Sequence, residues 1–304
     1  GQFVLINPNG IVFGPGSRID VGSPIASTAN VSDQDFMAGR LRFLEAGKPG
    51  AGISNQGHLS AADGGLVALV APHVANSGLI QARLGKVALG AGDTFTLDLY
   101  GDGLINVALA PEQALTLLDS AGKPLSALIS QSGKIEATGG QVVLINAPTA
   151  KAVLDQVINL SGTIQADSAL QQDGRVVLLS HGGTVEVRGT IGAQGVQAGQ
   201  RGGTVEILGD TVHIAAGSQL NVSGDRGGGT IHVGGALQGR GSTYRARTTA
   251  VDAGAALTAD AADDGKGGNI VVWADGHTRY AGSISARGGA RGGDGGQVEV
   301  SGKG

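Results

Sequence analysis

The sequence has no cysteine, and it has few aromatic or charged residues. Of its 304 residues, 3% are aromatic and 15% are charged. The missing cysteine excludes disulfides, thiolate metal sites and cysteine nucleophiles from this chain. With so few aromatics, a core has to be built from small aliphatic side chains, and the 41% apolar composition supplies them.

Long apolar runs and a strong net charge are missing as well. No run reaches the 18 or so apolar residues of a membrane span. A net charge of -4 with scattered charges gives no reason to expect nucleic acid or an anionic membrane as partner. The small cluster of Arg240, Arg245 and Arg247 is interpreted as a solvated edge. The chain opens directly in "GQFVLI", so we expect that a signal peptide has been removed from it.

Glycine is abundant, with 56 residues, but its irregular spacing and only 8 prolines exclude collagen. Many of the glycines open a repeat in which a short spacer is followed by alternating β-forming residues. The eight copies are GGLVAL (64–69), GKVAL (85–89), GGQVVL (139–144), GRVVL (174–178), GGTVEI (202–207), GGTIHV (228–233), GGNIVV (267–272) and GGQVEV (295–300). Most are preceded by a second short strand of the form G-x-I-x-A, so we expect a unit of strand, turn and strand.

Such short strands cannot each bury an apolar face alone, but they can when they stack as successive coils. The sequence therefore predicts an all-β fold, a right-handed parallel β-helix. A β-propeller would need a nearly fixed period, whereas the repeats are 20 to 55 residues apart. A left-handed hexapeptide helix would need a six-residue period, which is not seen.

Three segments depart from the repeat. Residues 94–110 form two alternating runs joined by a Gly-Asp-Gly turn, which predicts a β-hairpin outside the coil stack. Residues 33–43 and 111–122 are the candidate helices.

Three amide side chains, Asn55, Asn76 and Gln131, each lie two places before the glycine of a G-x-I-x-A strand. We expect them to stack and to hydrogen-bond from coil to coil, which stabilises the solenoid and performs no chemistry.

Carboxylate pairs are candidate catalytic residues, because β-helices can carry carbohydrate-cleaving sites. The candidate pairs are Asp33 with Asp35, Asp167 with Asp173, and Asp263 with Asp264. A glycosidase needs two carboxyl groups in a cleft, usually beside aromatic platforms. All three pairs lie in polar connectors, and the large platforms near the carboxy-terminal half are Tyr244, Trp273 and Tyr280. We therefore expect no enzyme activity.

The histidines show no metal-binding spacing, since neither HxxxH nor HxH occurs. They are His58, His73, His181, His213, His232 and His277. No cofactor or metal is predicted. The Walker pattern and a tandem calcium nonapeptide are also absent, so the glycine-rich stretches are interpreted as turns between coils. Sequons at Asn30, Asn159 and Asn221 leave glycosylation open.

The opening stretch "FVLINPNGIVFGPGSRIDVGSPIASTANVSDQDFMAG" resembles the secretion domain of two-partner-secreted bacterial exoproteins, the filamentous haemagglutinin-like adhesins. Its NPNGI string matches the second sequence motif of that family at Asn7, Pro8, Asn9, Gly10 and Ile11. Residues 267–304 also resemble the β-helical shaft of large members. The family's first motif, an NPNL-like string, and its amino-terminal cap are expected to lie upstream of these residues.

The resemblance implies a Gram-negative protein that is exported unfolded through an outer-membrane transporter whose periplasmic domains recognise it. It further implies a secreted or cell-surface adhesin. On this interpretation residues 1–130 are the remaining part of the secretion domain and residues 131–304 are a continuous shaft. The adhesion receptor, a host-surface or biofilm glycan or protein, is not identified.

Two other functions stay in competition with this one. A β-helical polysaccharide lyase or hydrolase would use connector carboxylates such as Asp33 and Asp35. A binding module for a glycan or for haem would use the flanks of the solenoid instead. Locally, Pro8 and Gly10 suit a type I turn, so the NPNG stretch is predicted to be a coil corner that also contributes to the export signal.

Overall fold

The computed structural model describes residues 1–97, 105–108, 123–147, 156–169, 172–241 and 244–303, the segment 105–108 by its backbone alone. In chain order its strands are β1 (Gln2–Ile6), β2 (Ile11–Phe13), β3 (Arg18–Val21), β4 (Ser23–Ser27), β5 (Asn30–Val31), β6 (Arg42–Glu45), β7 (Gly52–Asn55), β8 (His58–Ala61), β9 (Leu66–Ala71), β10 (His73–Asn76), β11 (Leu79–Gln81), β12 (Lys86–Ala91), β13 (Thr94–Leu97), β14 (Ile105–Ala108), β15 (Ile129–Gln131), β16 (Lys134–Glu136), β17 (Gln141–Asn146), β18 (Gln156–Leu160), β19 (Thr163–Gln165), β20 (Arg175–Ser180), β21 (Thr184–Val187), β22 (Thr190–Gly192), β23 (Thr204–Leu208), β24 (Thr211–Ile214), β25 (Gln219–Asn221), β26 (Thr230–Val233), β27 (Thr248–Val251), β28 (Ala256–Thr258), β29 (Asn269–Ala274), β30 (His277–Tyr280), β31 (Ser283–Ser285) and β32 (Gln297–Gly302). The helical elements of the described residues are α1 (Asp33–Met37) and one 3-10 turn (Leu237–Gly239).

Three long parallel sheets form the solenoid, and each coil adds one strand to each sheet. Sheet A has the order β1-β4-β9-β12-β17-β20-β23-β26-β29-β32. Sheet B has the order β2-β7-β10-β15-β18-β21-β24-β27-β30, and sheet C has the order β3-β8-β11-β16-β19-β22-β25-β28-β31. This arrangement confirms the predicted parallel β-helix.

The sequence repeats occupy equivalent places in sheet A. The central residue of each copy pairs with that of the next, in the series Val67, Val87, Val142, Val176, Val205, Ile231, Ile270 and Val298. The G-x-I-x-A strands form sheet C. The predicted unit of two strands was incomplete, because sheet B supplies a third strand to every coil and its members share no leading glycine.

The interior is aliphatic, as the composition predicts. Inward side chains such as Ile80, Val142 and Leu144 are completely buried. The first coils of sheet A also bury their outer face, because Leu66, Ala68 and Val70 belong to a second apolar cluster. This double burial explains why the strand "LVALVA" is apolar at every position.

Glycine is needed where the coils approach most closely, at two columns along the corners of the solenoid. A Cβ on Gly133 would lie 2.2 Å from the carbonyl oxygen of Gly78, and one on Gly162 would lie 2.1 Å from that of Gly133. The corner that leads into sheet A has the same geometry, with Gly85 above Gly65. Backbone contact from coil to coil therefore accounts for the leading glycine of the repeats.

The predicted amide ladder is present. Asn55 Nδ2 donates to Asn76 Oδ1 at 2.7 Å, and Asn76 Nδ2 donates to Gln131 Oε1 at 2.8 Å. All three residues are completely buried. In later coils Leu160, and then Val187, takes the same inward position.

A small antiparallel sheet, sheet D, lies outside the coils in the order β14-β13-β6-β5. The pairing of β13 with β14 confirms the hairpin predicted near residues 94–110. Its turn residues, Gly101 to Gly103, and the predicted helix 111–122 lie outside the described residues. The rings of Phe43 and Phe95 stack with centroids 4.3 Å apart, within the apolar cluster that covers the outer face of sheet A.

The helix predicted over residues 33–43 was wrong in its second half. The helix α1 starts at an N-cap, where Ser32 Oγ accepts from Asp35 N at 3.2 Å, and ends at Met37. Gly39 then adopts a φ of 68°, and Phe43 is buried while Arg42 and Leu44 are exposed. This alternation has the period of a strand, and pairing with β13 stabilises β6.

Candidate functional site

The Asn7–Gly10 turn joins β1 to β2 at the first corner between sheets A and B. Gly10 N donates to Asn7 O at 3.1 Å, which closes a four-residue turn, as predicted. Asn7 N donates to Ser27 O at 3.0 Å and so ties the turn to the next coil.

The asparagine side chains brace the turn from within. Asn7 Oδ1 accepts from Asn9 N at 3.0 Å and from Asn9 Nδ2 at 3.2 Å. Such a side-chain bond to the backbone two residues on favours a tight turn. Asn7, Pro8 and Asn9 are nevertheless exposed, so one face of the turn is open to solvent.

Two distant segments fix the position of the turn. Lys48 N donates to Pro8 O at 2.8 Å. Gly10 has a φ of 108° and approaches Gly52 so closely that a Cβ would lie 3.0 Å from the Gly52 carbonyl oxygen. Ile11 is 7% exposed and packs in the core, so of the five motif residues it serves the fold. The contacts with Lys48 and Gly52 had no signal in the sequence.

A cleft of 320 Å³ opens beside the turn on the outer face of sheet B. Its lining includes Asn9, Val12, Ser54 and Leu125. The imidazole of His73 lies over Gly52, where a Cβ would approach its Nε2 to 1.9 Å.

The other histidines are dispersed along the solenoid, and His58 and His213 contact polar side chains. His58 Nε2 lies 2.7 Å from Gln81 Oε1. His213 lies between two carboxylates, with Nε2 2.8 Å from Asp252 Oδ2 and Nδ1 3.3 Å from Glu186 Oε1. Within the residues that the structure describes, no group of three or more His, Asp or Glu side chains could hold a metal ion.

Three of the candidate carboxylates, one from each pair, have structural partners. Arg40 Nε donates to Asp35 Oδ1 at 2.6 Å, and this bond lowers the pKa of Asp35. Asp167 accepts from Gln165 Nε2 at 2.7 Å and from the backbone of Gln194 at 2.8 Å. Asp263 is paired with Arg291. A raised carboxyl pKa, which a general acid needs, is not seen at Asp35.

The aromatic side chains near the carboxy-terminal half do not form a sugar platform. Trp273 is 6% exposed and lies under the loop that contains Gly235 and Gly239. Tyr244 donates to Asp210, and burial raises its pKa to about 12. Burial also raises the pKa of Tyr280 to about 12.

The three sequon asparagines differ in their surroundings, and their glycosylation stays a prediction. Asn30 is exposed, and its Nδ2 donates to Glu45 Oε2 at 2.7 Å. Asn221 Oδ1 accepts from Ser223 N at 2.9 Å, and its Nδ2 donates to Gln194 Oε1 at 3.0 Å. Asn159 is partly buried.

One residue of the arginine cluster forms an ion pair within the chain. Arg245 Nε lies 3.0 Å from Asp275 Oδ2.

Of the described part of the chain, no helix has the length and hydropathy needed to cross a bilayer.

Comparisons with known proteins agree with the shape of the molecule. The family model "TPS secretion domain" matches residues 1–193. The crystal structure of the HMW1 secretion domain from Haemophilus influenzae is similar over 99% of this chain and 75% of its own, with a TM-score of 0.79 and 28% sequence identity. No significant match was found among curated protein sequences.

The matched segment contains the Asn7–Gly10 turn, sheet D and the amide ladder. It covers well over half of the chain, and its fold is shared with a solved secretion domain. These findings indicate an exoprotein of Gram-negative bacteria that is exported with the help of a partner outer-membrane transporter, and they point to a non-enzymatic role. The chain belongs to the two-partner secretion family.

Proposed function

We propose that the Asn7–Gly10 turn contributes to the signal by which the periplasmic domains of the transporter recognise the chain. The observation that carries the proposal is that Asn7, Pro8 and Asn9 are exposed although they close a coil corner. Asn-Pro-Asn occurs at no other place in the sequence. Turn geometry accounts for Pro8 and Gly10 and for the bond between the two asparagines, and the solvent-exposed faces of Asn7 and Asn9 remain available to the transporter.

Export to the medium tests this role. The variant Asn7→Ala/Asn9→Ala, expressed with its transporter, is expected to reduce the amount of secreted protein strongly. Asn221→Ala is the matched control, because it removes a similar side-chain bond from a turn in the shaft. Unchanged export of the double variant would contradict the proposal, and thermal melting of the purified variants separates recognition from folding.

We further infer that residues 1–130 are the remaining secretion domain and that residues 131–304 form a structural shaft of a surface adhesin. The support is the continuous strand order of the three sheets from β15 to β32. The shaft presents its sheets to a host-surface or biofilm receptor, which is a glycan or a protein.

Binding of the whole chain to a glycan array and to epithelial cells tests adhesion. Saturable binding supports the adhesin role. An absence of binding to both would leave the chain with a role in export alone and would contradict the proposed function of the shaft.

A further inference from the structure

The dipeptide Asn9-Gly10 is the one Asn-Gly pair in the sequence. Glycine has no side chain to hinder its amide nitrogen, which can attack the side-chain carbonyl carbon of a preceding asparagine. A bond then forms between Gly10 N and Asn9 Cγ, the bond from Cγ to Nδ2 breaks, and ammonia leaves with the proton of the glycine amide. Water opens the resulting succinimide at either carbonyl and gives aspartate or isoaspartate.

The folded turn restrains both groups that this reaction uses. The attacking nitrogen, Gly10 N, carries a hydrogen that is donated to Asn7 O at 3.1 Å. The leaving nitrogen, Asn9 Nδ2, donates to Asn7 Oδ1 at 3.2 Å. The positive φ of Gly10 and its close approach to Gly52 hold the peptide in place. Solvent still reaches Asn9, so water for the second step is at hand.

We propose that Asn9 is a site of spontaneous deamidation that is closed in the folded protein and open in the unfolded chain. We call this site the deamidation clock, because the extent of reaction at Asn9 increases with the time that the chain spends unfolded. The time that a chain spends unfolded is recorded at Asn9, whereas a chain that folds promptly is protected.

The product weakens the turn that was protecting the site. Aspartate at position 9 loses the Nδ2 donor and places a carboxylate oxygen against Asn7 Oδ1. Isoaspartate adds one carbon to the main chain between residues 9 and 10, which displaces Gly10 from its contact with Gly52. A chain that folds late and has reacted at Asn9 therefore forms a less stable turn at the first corner.

Two other asparagines, Asn7 and Asn76, serve as internal controls for the deamidation rate of Asn9. Asn7 precedes Pro8, whose nitrogen carries no hydrogen and cannot form a neutral imide by the same route. Asn76 precedes Ser77, whose side chain hinders attack, and in the folded protein Asn76 is buried in the amide ladder. Asn9 should therefore react faster than both in the unfolded chain.

Peptide mapping by mass spectrometry tests the proposal on the purified full chain, incubated at mildly alkaline pH with and without urea. We expect deamidation at Asn9 to be about tenfold faster or more in urea, since hydrogen bonds of the turn must break first in the folded protein. Equal rates in the two conditions would overturn the proposal, and so would an Asn9 no faster than Asn76 in urea.

A variant checks the protecting contacts directly. Asn7→Ala removes the oxygen that holds Asn9 Nδ2 but keeps the backbone bond from Gly10 N to Asn7 O, so deamidation of Asn9 in buffer should rise above that of the unaltered protein and stay below the rate in urea while circular dichroism shows a folded chain. Retained protection in that variant would show that the Asn7 side chain is not responsible. Gly10→Ala in urea should slow the reaction, because the added Cβ hinders the attacking nitrogen.

An effect on export rests on the function proposed for the turn and has a separate readout. If Asn9 deamidates as described and Asn9→Asp is still exported normally, the recognition role of Asn9 fails while the clock remains. If Asn9→Asp is retained in the cell but Asn9 does not deamidate in urea, the clock fails and the recognition role stands.

Discussion

Asn55 and Asn76 share a hydrogen bond of 2.7 Å inside the solenoid, where neither side chain is exposed to solvent. The bond links consecutive coils, and the next coil continues it through Gln131. Later coils place Leu160 and Val187 at the same position, so the fold itself accepts an apolar side chain there. The amide ladder is therefore a feature of these three coils and is not required by the β-helix fold.

Breaking the ladder in the middle should cost more than replacing it. Asn76→Val leaves Asn55 Nδ2 without its acceptor and Gln131 Oε1 without its donor, and should lower the free energy of unfolding by about 3 kcal/mol. The triple variant Asn55→Val/Asn76→Val/Gln131→Leu removes both partners of each amide–amide bond, although Gly57 N loses its bond to Asn55 Oδ1, and it should lie between the single variant and the native protein in stability. Urea unfolding of the three proteins measures this, and a triple variant weaker than the single one would contradict it.

The glycine columns should not tolerate a methyl group. Gly133→Ala places a Cβ 2.2 Å from the carbonyl oxygen of Gly78, so two coils must separate. We expect a loss of about 2 kcal/mol or more and a lower melting temperature. Gly16→Ala is the matched control, since nothing lies within 4 Å of its added Cβ. Equal melting temperatures for the two variants would show that close backbone contact is not the reason for glycine.

Acid should weaken the later coils through Glu206. His232 and then Arg175 hold the pKa of Glu206 at about 2, below its usual 4.5. Arg175 Nη2 donates to Glu206 Oε2 at 2.7 Å, and His232 Nδ1 lies 3.8 Å from Oε1. Because the folded pKa is lowered, this stabilisation is complete above pH 4.5 and is lost as the pH falls toward 2.

The loss amounts to about 3 kcal/mol over that range. Glu206→Gln should be less stable at neutral pH and should show a flatter pH dependence between 4.5 and 2. His232→Gln keeps the arginine and should fall between the two. Melting temperatures measured across this pH range provide the check, and parallel curves for all three proteins would contradict the assignment.

The stack of Phe43 on Phe95 should show energetic coupling. Phe43 is fully buried, so Phe43→Ala should cost about 3 kcal/mol or more, and Phe95→Ala a similar amount. A double-mutant cycle should give about 1 kcal/mol of coupling between the rings. Leu44→Ala changes a half-exposed neighbour and should be nearly neutral. Strict additivity of the two phenylalanine changes would exclude a direct contribution from stacking.

The stacking of coils could be predicted because it repeats. Every copy of the repeat places a small aliphatic residue at the same register, and the series from Val67 to Val298 pairs as the sequence pattern indicates. The amide ladder followed from the same spacing. Sheet B was missed since its strands vary in sequence, and β6 was misassigned because its stability comes from pairing with β13 some 50 residues later.

The candidate site shows the same limit. The sequence placed a turn at Asn7–Gly10, and local bonds within that turn confirm it. Its contacts with Lys48 and Gly52 come from the chain that returns after sheet D begins. No local sequence pattern predicts such a contact, because the two partners are about 40 residues apart and neither residue type identifies the other.

Sheet D also sets an order of events for any chain that folds from its amino end. Phe43 is in place once the second coil begins, but Phe95 reaches it only after two further coils of sheet A have formed. During that interval Ile25, Ala68 and Val70 have an incomplete apolar cover. The first coils therefore expose apolar surface until β13 pairs with β6. Pairing of β13 is the step after which this surface is buried and the first coils are protected from aggregation.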